Sequence, residues 1–232
     1  PRHTILCLPG LTRNSRDFEE LAEHLAKTDR VLCADLRGRG RSAYAKDPMT
    51  YQPPVYVQDV NALLEHAGAE DAVFIGTSLG GLVTVLCANL IRHRVKAVII
   101  NDIGPEIDPD GLGRIQAYLT TDTAFATWEE AAAAAKTLNG HVYPDWTEAQ
   151  WIIMAKKLCA VQPDGKIRTD YDKAIAVPFG QLGPAANIDL WPFFAALHGL
   201  PALAIRGEIS DLLSDTIFKK MKTNCPTLQQ VV

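Results

Sequence analysis

The feature that most restricts this chain is Gly76-Thr77-Ser78-Leu79-Gly80-Gly81, set between two apolar runs. The run before it, Asp71-Ala72-Val73-Phe74-Ile75, reads as a buried strand, and residues 82–88 after it read as a buried helix. A G-x-S-x-G pattern at such a junction is a sharp strand-to-helix turn that lifts a serine hydroxyl clear of a sheet. Glycine is required at 76 and 80 because neighbouring backbones pass too close for a side chain. With Gly and Ser each near ~7% of ordinary usage, a chain of this length shows the pattern by accident about 0.08 times. Pattern and context together point to a serine nucleophile rather than to a plain glycine-rich turn.

Around this motif, apolar runs at 3–8, 30–35, 71–76 and 95–101 alternate with amphipathic stretches at 15–27, 55–67 and 79–92. Near-continuous apolar strands separated by helices predict parallel strands covered on both faces, joined by right-handed crossovers. Ser15 is available as an N-cap for the first helix. From about residue 105 to 197 the alternation stops. Helical segments at 128–138, 147–159 and 171–177 take its place, with Thr147 and Gln150 spaced as a capping box. A strand at 201–206, a helix at 212–222 and a last strand at 227–232 follow. The expected fold is therefore α/β, a mostly parallel, doubly wound sheet with a helical cap insertion. Residues 1–104 and 198–232 form the core, and 105–197 the cap.

Here the chain resembles the capped serine esterases and lactonases of the α/β-hydrolase fold superfamily. Cys7-Leu8-Pro9-Gly10-Leu11-Thr12 is similar to the family's oxyanion loop, with Pro9 where histidine is common. The resemblance implies an oxyanion hole built from the backbone N–H groups of Leu11 and Leu79. Asp35-Leu36-Arg37-Gly38-Arg39-Gly40-Arg41-Ser42 resembles the family's D-x-R-G-x-G-x-S segment. It lacks the Gly-Lys-Ser/Thr of a P-loop, which leaves a structural loop with Arg37 tied to carboxylates, or a substrate-carboxylate site at Arg37, Arg39 or Arg41. The family's chain order is Ser, Asp, His. Asp211 in Gly207-Glu208-Ile209-Ser210-Asp211 matches the place of the acid, with Glu208 a weaker neighbour and Asp102 the alternative.

No histidine follows Asp211; His3, His24, His66, His93, His141 and His198 all precede it. The first residue is Pro1, close to an apolar strand, and the last is Val232 within another. The expectation is a fragment trimmed at both ends, its catalytic histidine lying beyond the final strand. The rival reading is a degenerate, non-catalytic hydrolase-fold receptor.

All four tryptophans, Trp128, Trp146, Trp151 and Trp191, fall in the insertion. Packing explains most of them, and Trp128, Trp146 and Trp151, with His141, are the candidates for a substrate pocket over Ser78. Serine at 78 favours acyl transfer over chemistry that needs a carboxylate nucleophile. The expected substrate is a small carboxylic ester or lactone, with carbon–carbon hydrolysis of ring-cleavage products as the alternative. No dinucleotide fingerprint and no H-E-x-x-H occurs, so neither cofactor nor metal is expected. A formal net charge of −4 disfavours nucleic acid and anionic membranes as partners, and no apolar run approaches the ~20 residues of a membrane span. Five cysteines without short paired spacings read as reduced thiols in a cytoplasmic protein.

Overall fold

The computed structural model describes residues 1–107, 111, 113, 115, 118, 119, 121–181 and 189–232, the side chains of 179–181 excepted. In chain order the core runs β1 (Thr4–Leu8), α1 (Glu19–Leu25), β2 (Arg30–Cys33), α2 (Pro53–His66), β3 (Ala72–Thr77), α3 (Leu79–Leu90) and β4 (Val95–Asn101). The insertion carries α4 (Trp128–Asn139), α5 (Glu148–Leu158), β5 (Cys159–Val161), β6 (Ile167–Thr169), α6 (Ala176–Gln181) and α7 (Trp191–Phe194). The chain returns to the core with β7 (Ala202–Ile205), α8 (Asp215–Asn224) and β8 (Gln229–Val231).

Six strands form one sheet in the order β2-β1-β3-β4-β7-β8, and every pairing in it is parallel. The period-2 geometry of the strands divides their side chains between two apolar layers. Leu6, Leu8, Phe74, Val98 and Ile100 join a core shared with Tyr56, Val60 and Leu64 of α2 and Val83 and Cys87 of α3. Ile5 and Cys7 face the other way, with Val73 and Ile75, against Phe18 and Leu25. Both faces are covered, which is why these strands read as unbroken apolar runs.

Two local expectations need correction. The first helical stretch is capped by Asn14, whose side chain accepts from the Arg16 amide, and not by Ser15. The Ser15 amide instead donates to Asp35 Oδ1 at 2.7 Å. The insertion is also not free of strands, because β5 and β6 pair antiparallel. Their turn is Gln162-Pro163-Asp164-Gly165, closed by a Gly165 N–H to Gln162 C=O bond of 2.8 Å. Three-residue strands are too short to show alternation, but Pro-Asp-Gly is a turn signal with a physical basis. The capping box at Thr147 and Gln150 forms as its spacing predicts.

Two close approaches fix the end of the sheet at which the parallel strands finish. The first turn of α3 presses on the end of β1, so a Cβ on Gly80 would overlap the carbonyls of Leu8 and Pro9, and one on Gly76 would overlap the peptide joining Gly80 and Gly81. The second approach is at Gly40, whose φ of +54° folds the loop after β2 onto the Asp35 carboxylate. A Cβ there would stand 2.5 Å from the carboxyl carbon. Asp35 accepts from the amides of Ser15 at 2.7 Å and Arg41 at 3.0 Å, and Ser42 Oγ donates to its carbonyl. Burial pushes the Asp35 carboxyl up, but these amides and the Arg41 charge outweigh it and hold it below the usual carboxylate range.

Gly80→Ala is expected to destabilise by about 3 kcal/mol or more, since its obstacle is backbone that cannot step aside. Gly68→Ala, which meets open space at a φ of +62°, should lose only about 1–2 kcal/mol. Urea midpoints at unchanged m-value would check the pair, and equal losses would contradict the close-approach argument. Asp35→Asn should lower stability by about 1.5–3 kcal/mol at neutral pH. Because the folded Asp35 value is depressed, its stabilisation is complete above the unfolded value near ~3.9 and is lost as pH falls through the folded one. Stability curves of the two proteins should therefore begin to converge below about pH 4; a constant gap would contradict the assignment.

Candidate active site

Ser78 stands between the last residue of β3 and the first of α3, with φ 51° and ψ −116°. A non-glycine residue in this region carries strain of about 1–3 kcal/mol, retained only where the surroundings impose it. Here they do: the glycine contacts of the α3 turn leave no relaxed path. The Ser78 amide donates to the Asn101 carbonyl on β4 at 2.8 Å, and the side chain is half-buried. Among the described residues the Ser78 hydroxyl has no hydrogen-bond partner.

The loop after β1 lies directly across from it. A Cβ on Gly10 would be 3.8 Å from the Ser78 Cβ, so Pro9-Gly10-Leu11 and the start of α3 border one space. The amides of Leu11 and Leu79 have no acceptor among the described residues. Leu79 N–H is among the first of its helix, where the chain itself supplies none. Two free amides beside a serine hydroxyl are the elements of an oxyanion hole. The Leu11 carbonyl is not free. It accepts from Arg39 Nε at 2.7 Å.

Of the three arginines in the loop after β2, Arg37 is bidentate to Asp59 of α2, through Nε at 2.6 Å and Nη2. Arg39 is wholly buried. Its Nη1 donates to the Arg37 carbonyl at 2.7 Å and the Tyr56 hydroxyl at 3.0 Å, and the guanidinium lies 5.2 Å from the Tyr56 ring centre and 5.7 Å from that of Tyr51. Arg41 is exposed beside Asp35. This is the internally tied loop of the first alternative. The sequence named Arg37 as the anchor, and the structure adds Arg39 as the one that reaches the Pro9-Gly10-Leu11 loop. Tyr51 donates to Asp172 Oδ2 at 2.6 Å. Burial and that carboxylate push it up to about 12, so it remains a neutral donor.

Asp211 lies exposed in the loop after β7, the strand beyond β4 from the serine strand. Arg206 braces this loop, with Nε on the Leu213 carbonyl at 2.7 Å and Nη1 on that of Glu208 at 3.2 Å. Ser210 Oγ accepts from the amides of Leu212 and Leu213. Asp102, next after β4, has φ 56°. Its amide donates to the Ile205 carbonyl at 2.8 Å, and its Oδ1 accepts from Gly207 N–H at 3.3 Å. Asp102 thereby ties down the root of the loop that carries Asp211. Glu208 is exposed.

All six histidines are exposed. His3, His93 and His198 precede β1, β4 and β7 at the ends of those strands away from Ser78, while His24 and His66 sit late in α1 and α2. His198 Nε2 contacts the Asn224 carbonyl at 2.6 Å. His141 follows α4 in the cap.

The tryptophans of the insertion pack mainly on one another. Trp151 is 2% exposed in a cluster with Ala131, Ala135 and Ala155, against which Trp128 and Trp146 also lie. Trp146 stacks on Tyr143 at 4.0 Å and borders a cleft of about 320 Å³ shared with Arg13, Asp17 and Met154. Among the described residues no group of three or more His, Cys, Asp or Glu could hold a metal ion, and no helix is long and apolar enough to cross a membrane.

This geometry has close counterparts among known proteins. The family described as the alpha/beta hydrolase fold matches residues 3–141. The 3-hydroxybutyrate-oligomer hydrolase of Cupriavidus necator is 36% identical over 219 residues, which are 90% of this chain and 73% of that protein. The 2-(acetamidomethylene)succinate hydrolase of Mesorhizobium japonicum is 28% identical over 229 residues, 98% of this chain and 78% of that protein. The crystal structure of an alpha/beta hydrolase from Novosphingobium aromaticivorans superposes with a TM-score of 0.92 at 50% identity, covering 99% of this chain and 81% of that one. With this family match and these identities, the chain belongs to the α/β-hydrolase fold family, among relatives that are hydrolases.

Proposed function

We propose that this chain carries the serine half of an ester-hydrolysing site, acting on a small carboxylic ester or lactone through an acyl-enzyme on Ser78. The observation that carries the reading is the strained Ser78, its hydroxyl unpartnered among the described residues and facing the Pro9-Gly10-Leu11 loop. In the proposed reaction Ser78 Oγ attacks the ester carbonyl, and the negative oxygen of the tetrahedral intermediate takes the amides of Leu11 and Leu79. Asp211 is the acid that orients the base, and Asp102 serves to hold the Asp211 loop. The base is a histidine later in chain order than Asp211, as the family order implies. The alcohol leaves with the proton that the base took from Ser78, and water then releases the acid from the serine.

The Cupriavidus relative, named for 3-hydroxybutyrate oligomers, supports an ester substrate, since hydroxy-acid units join through ester bonds. Trp128, Trp146, Trp151 and His141 of the insertion remain the candidates for the substrate side, Trp146 being the one that borders an open cleft beside Arg13. A small-molecule substrate, no nucleic acid or membrane partner, and a reducing, cytoplasmic setting complete the proposal, the last resting on five free thiols.

Residues 1–232 hold no histidine after Asp211, so on p-nitrophenyl butyrate they should turn over on the order of 10⁶ slower than a serine hydrolase with an intact triad. Ser78→Ala in the full product should abolish turnover. Rapid hydrolysis by the 232-residue chain would contradict the order of the triad. Ester turnover that survives Ser78→Ala would contradict the nucleophile, and a full product that binds esters without cleaving them would make it a receptor. Cleavage of a carbon–carbon ring-cleavage product with esters untouched would move the reading to that reaction.

A further inference from the structure

We propose that Arg39 is the positioning residue of the oxyanion hole, its buried guanidinium holding the Leu11 carbonyl so that the Leu11 N–H faces the reacting oxygen. The inference rests on the acyl-transfer reading of Ser78 and extends it to a residue that touches neither serine nor substrate. Arg39 Nε donates to the Leu11 carbonyl at 2.7 Å, and only the two soft dihedrals of Leu11 separate that carbonyl's peptide plane from the plane that carries the Leu11 N–H. A fixed carbonyl at one end of Leu11 therefore restricts rotation of the N–H at the other. Pro9 stiffens the entrance of the same loop, and the Arg13 amide closes it onto the Gly10 carbonyl at 3.1 Å.

The charge of Arg39 adds a second reason. The side chain is fully buried, and among the described residues no carboxylate pairs with it. Its other partners are the Arg37 carbonyl, the Tyr56 hydroxyl and two aromatic faces, while Nη2 is buried without any partner. A buried cation lacking a counter-charge is normally disfavoured. The carboxylate on this side, Asp172, reaches it only across the Tyr51 ring, so negative charge that forms on the oxyanion as the ester is attacked adds a complement to the field of Arg39 in the transition state.

Arg39 is also linked to the cap. Arg39 and Tyr171 form an antiparallel bridge, the Gly40 amide donates to the Asp170 carbonyl at 3.1 Å, and the Asp172 amide to that of Gly38 at 2.7 Å. The segment that follows the cap hairpin thus seats the loop that carries the guanidinium.

The test uses the full gene product, p-nitrophenyl butyrate as substrate and butylboronic acid as a tetrahedral mimic. Arg39→Gln should lower kcat on the order of 10²-fold, with KM within about threefold, and weaken the boronic acid by the factor lost in kcat. Arg39→Lys, which keeps the charge and one donor, should recover about tenfold. Folded Arg39→Gln that retains kcat, or that loses KM and kcat together with boronic acid affinity unchanged, would overturn the proposal. If Arg39→Gln does not fold, Arg39→Lys and Tyr56→Phe decide. Each should lower kcat about three- to tenfold at constant KM, and wild-type kcat in both would overturn it. Ser78→Ala separates the two layers. Activity that survives it sinks the acyl-transfer reading, while activity lost in Ser78→Ala but intact in the Arg39 variants sinks the positioning role alone.

Discussion

The contact between the first turn of α3 and the end of β1 is the constraint from which the site follows. The backbone at Gly80 lies against the carbonyls of Leu8 and Pro9, and Gly76 lies against the peptide that joins Gly80 to Gly81. With three backbones this close, the single residue between strand and helix cannot relax, and Ser78 is held at a φ of 51°. The strain, about 1–3 kcal/mol, is offset by the apolar layers that bury β3 and α3 together. One geometry then does three things. It projects the serine hydroxyl past the sheet, leaves the Leu79 amide unused, and brings the Pro9-Gly10-Leu11 loop alongside.

The surrounding charges hold this arrangement in place. Asp35 gathers the amides of Ser15 and Arg41, Arg37 locks the loop after β2 to α2 through Asp59, and Arg39 carries the loop's position to Leu11. The cap reaches the same loop by backbone bonds from Asp170 and Asp172 and by the Tyr51–Asp172 hydrogen bond. Arg16 on Asp170 at 2.6 Å, with Asn14 Nδ2 on the Lys157 carbonyl, closes the second side of the seam. The contacts of residues 170–172 and the position of the Pro9-Gly10-Leu11 loop therefore run through one set of residues, those of the loop after β2.

Much of this was legible in the order of residues, and for identifiable reasons. The strand-turn-helix at 71–88 and the parallel sheet could be read because burial on both faces leaves long apolar runs, and a G-x-S-x-G turn demands glycine at fixed offsets. Arg37 could be named as an anchor for its carboxylate partner. Arg39 could not, because its partners are a carbonyl 28 residues away and two tyrosine rings, and none of these leaves a spacing signal. The hairpin at Cys159–Val161 and Ile167–Thr169 was hidden by its short strands, although Pro163-Asp164-Gly165 carried the turn. The aromatic insertion suggested a pocket wall by composition alone; Trp151, packed among alanines with only 2% exposed, shows how far composition is from placement.

The central claim is that the fold makes Ser78 a nucleophile, and covalent capture tests it most directly. The full gene product, treated with one equivalent of a fluorophosphonate and examined by intact mass and peptide mapping, should gain a single adduct on the peptide that contains Ser78. Denatured protein and the Ser78→Ala variant should gain none. An adduct on another residue, or a folded wild-type protein that gains no adduct, would contradict the account.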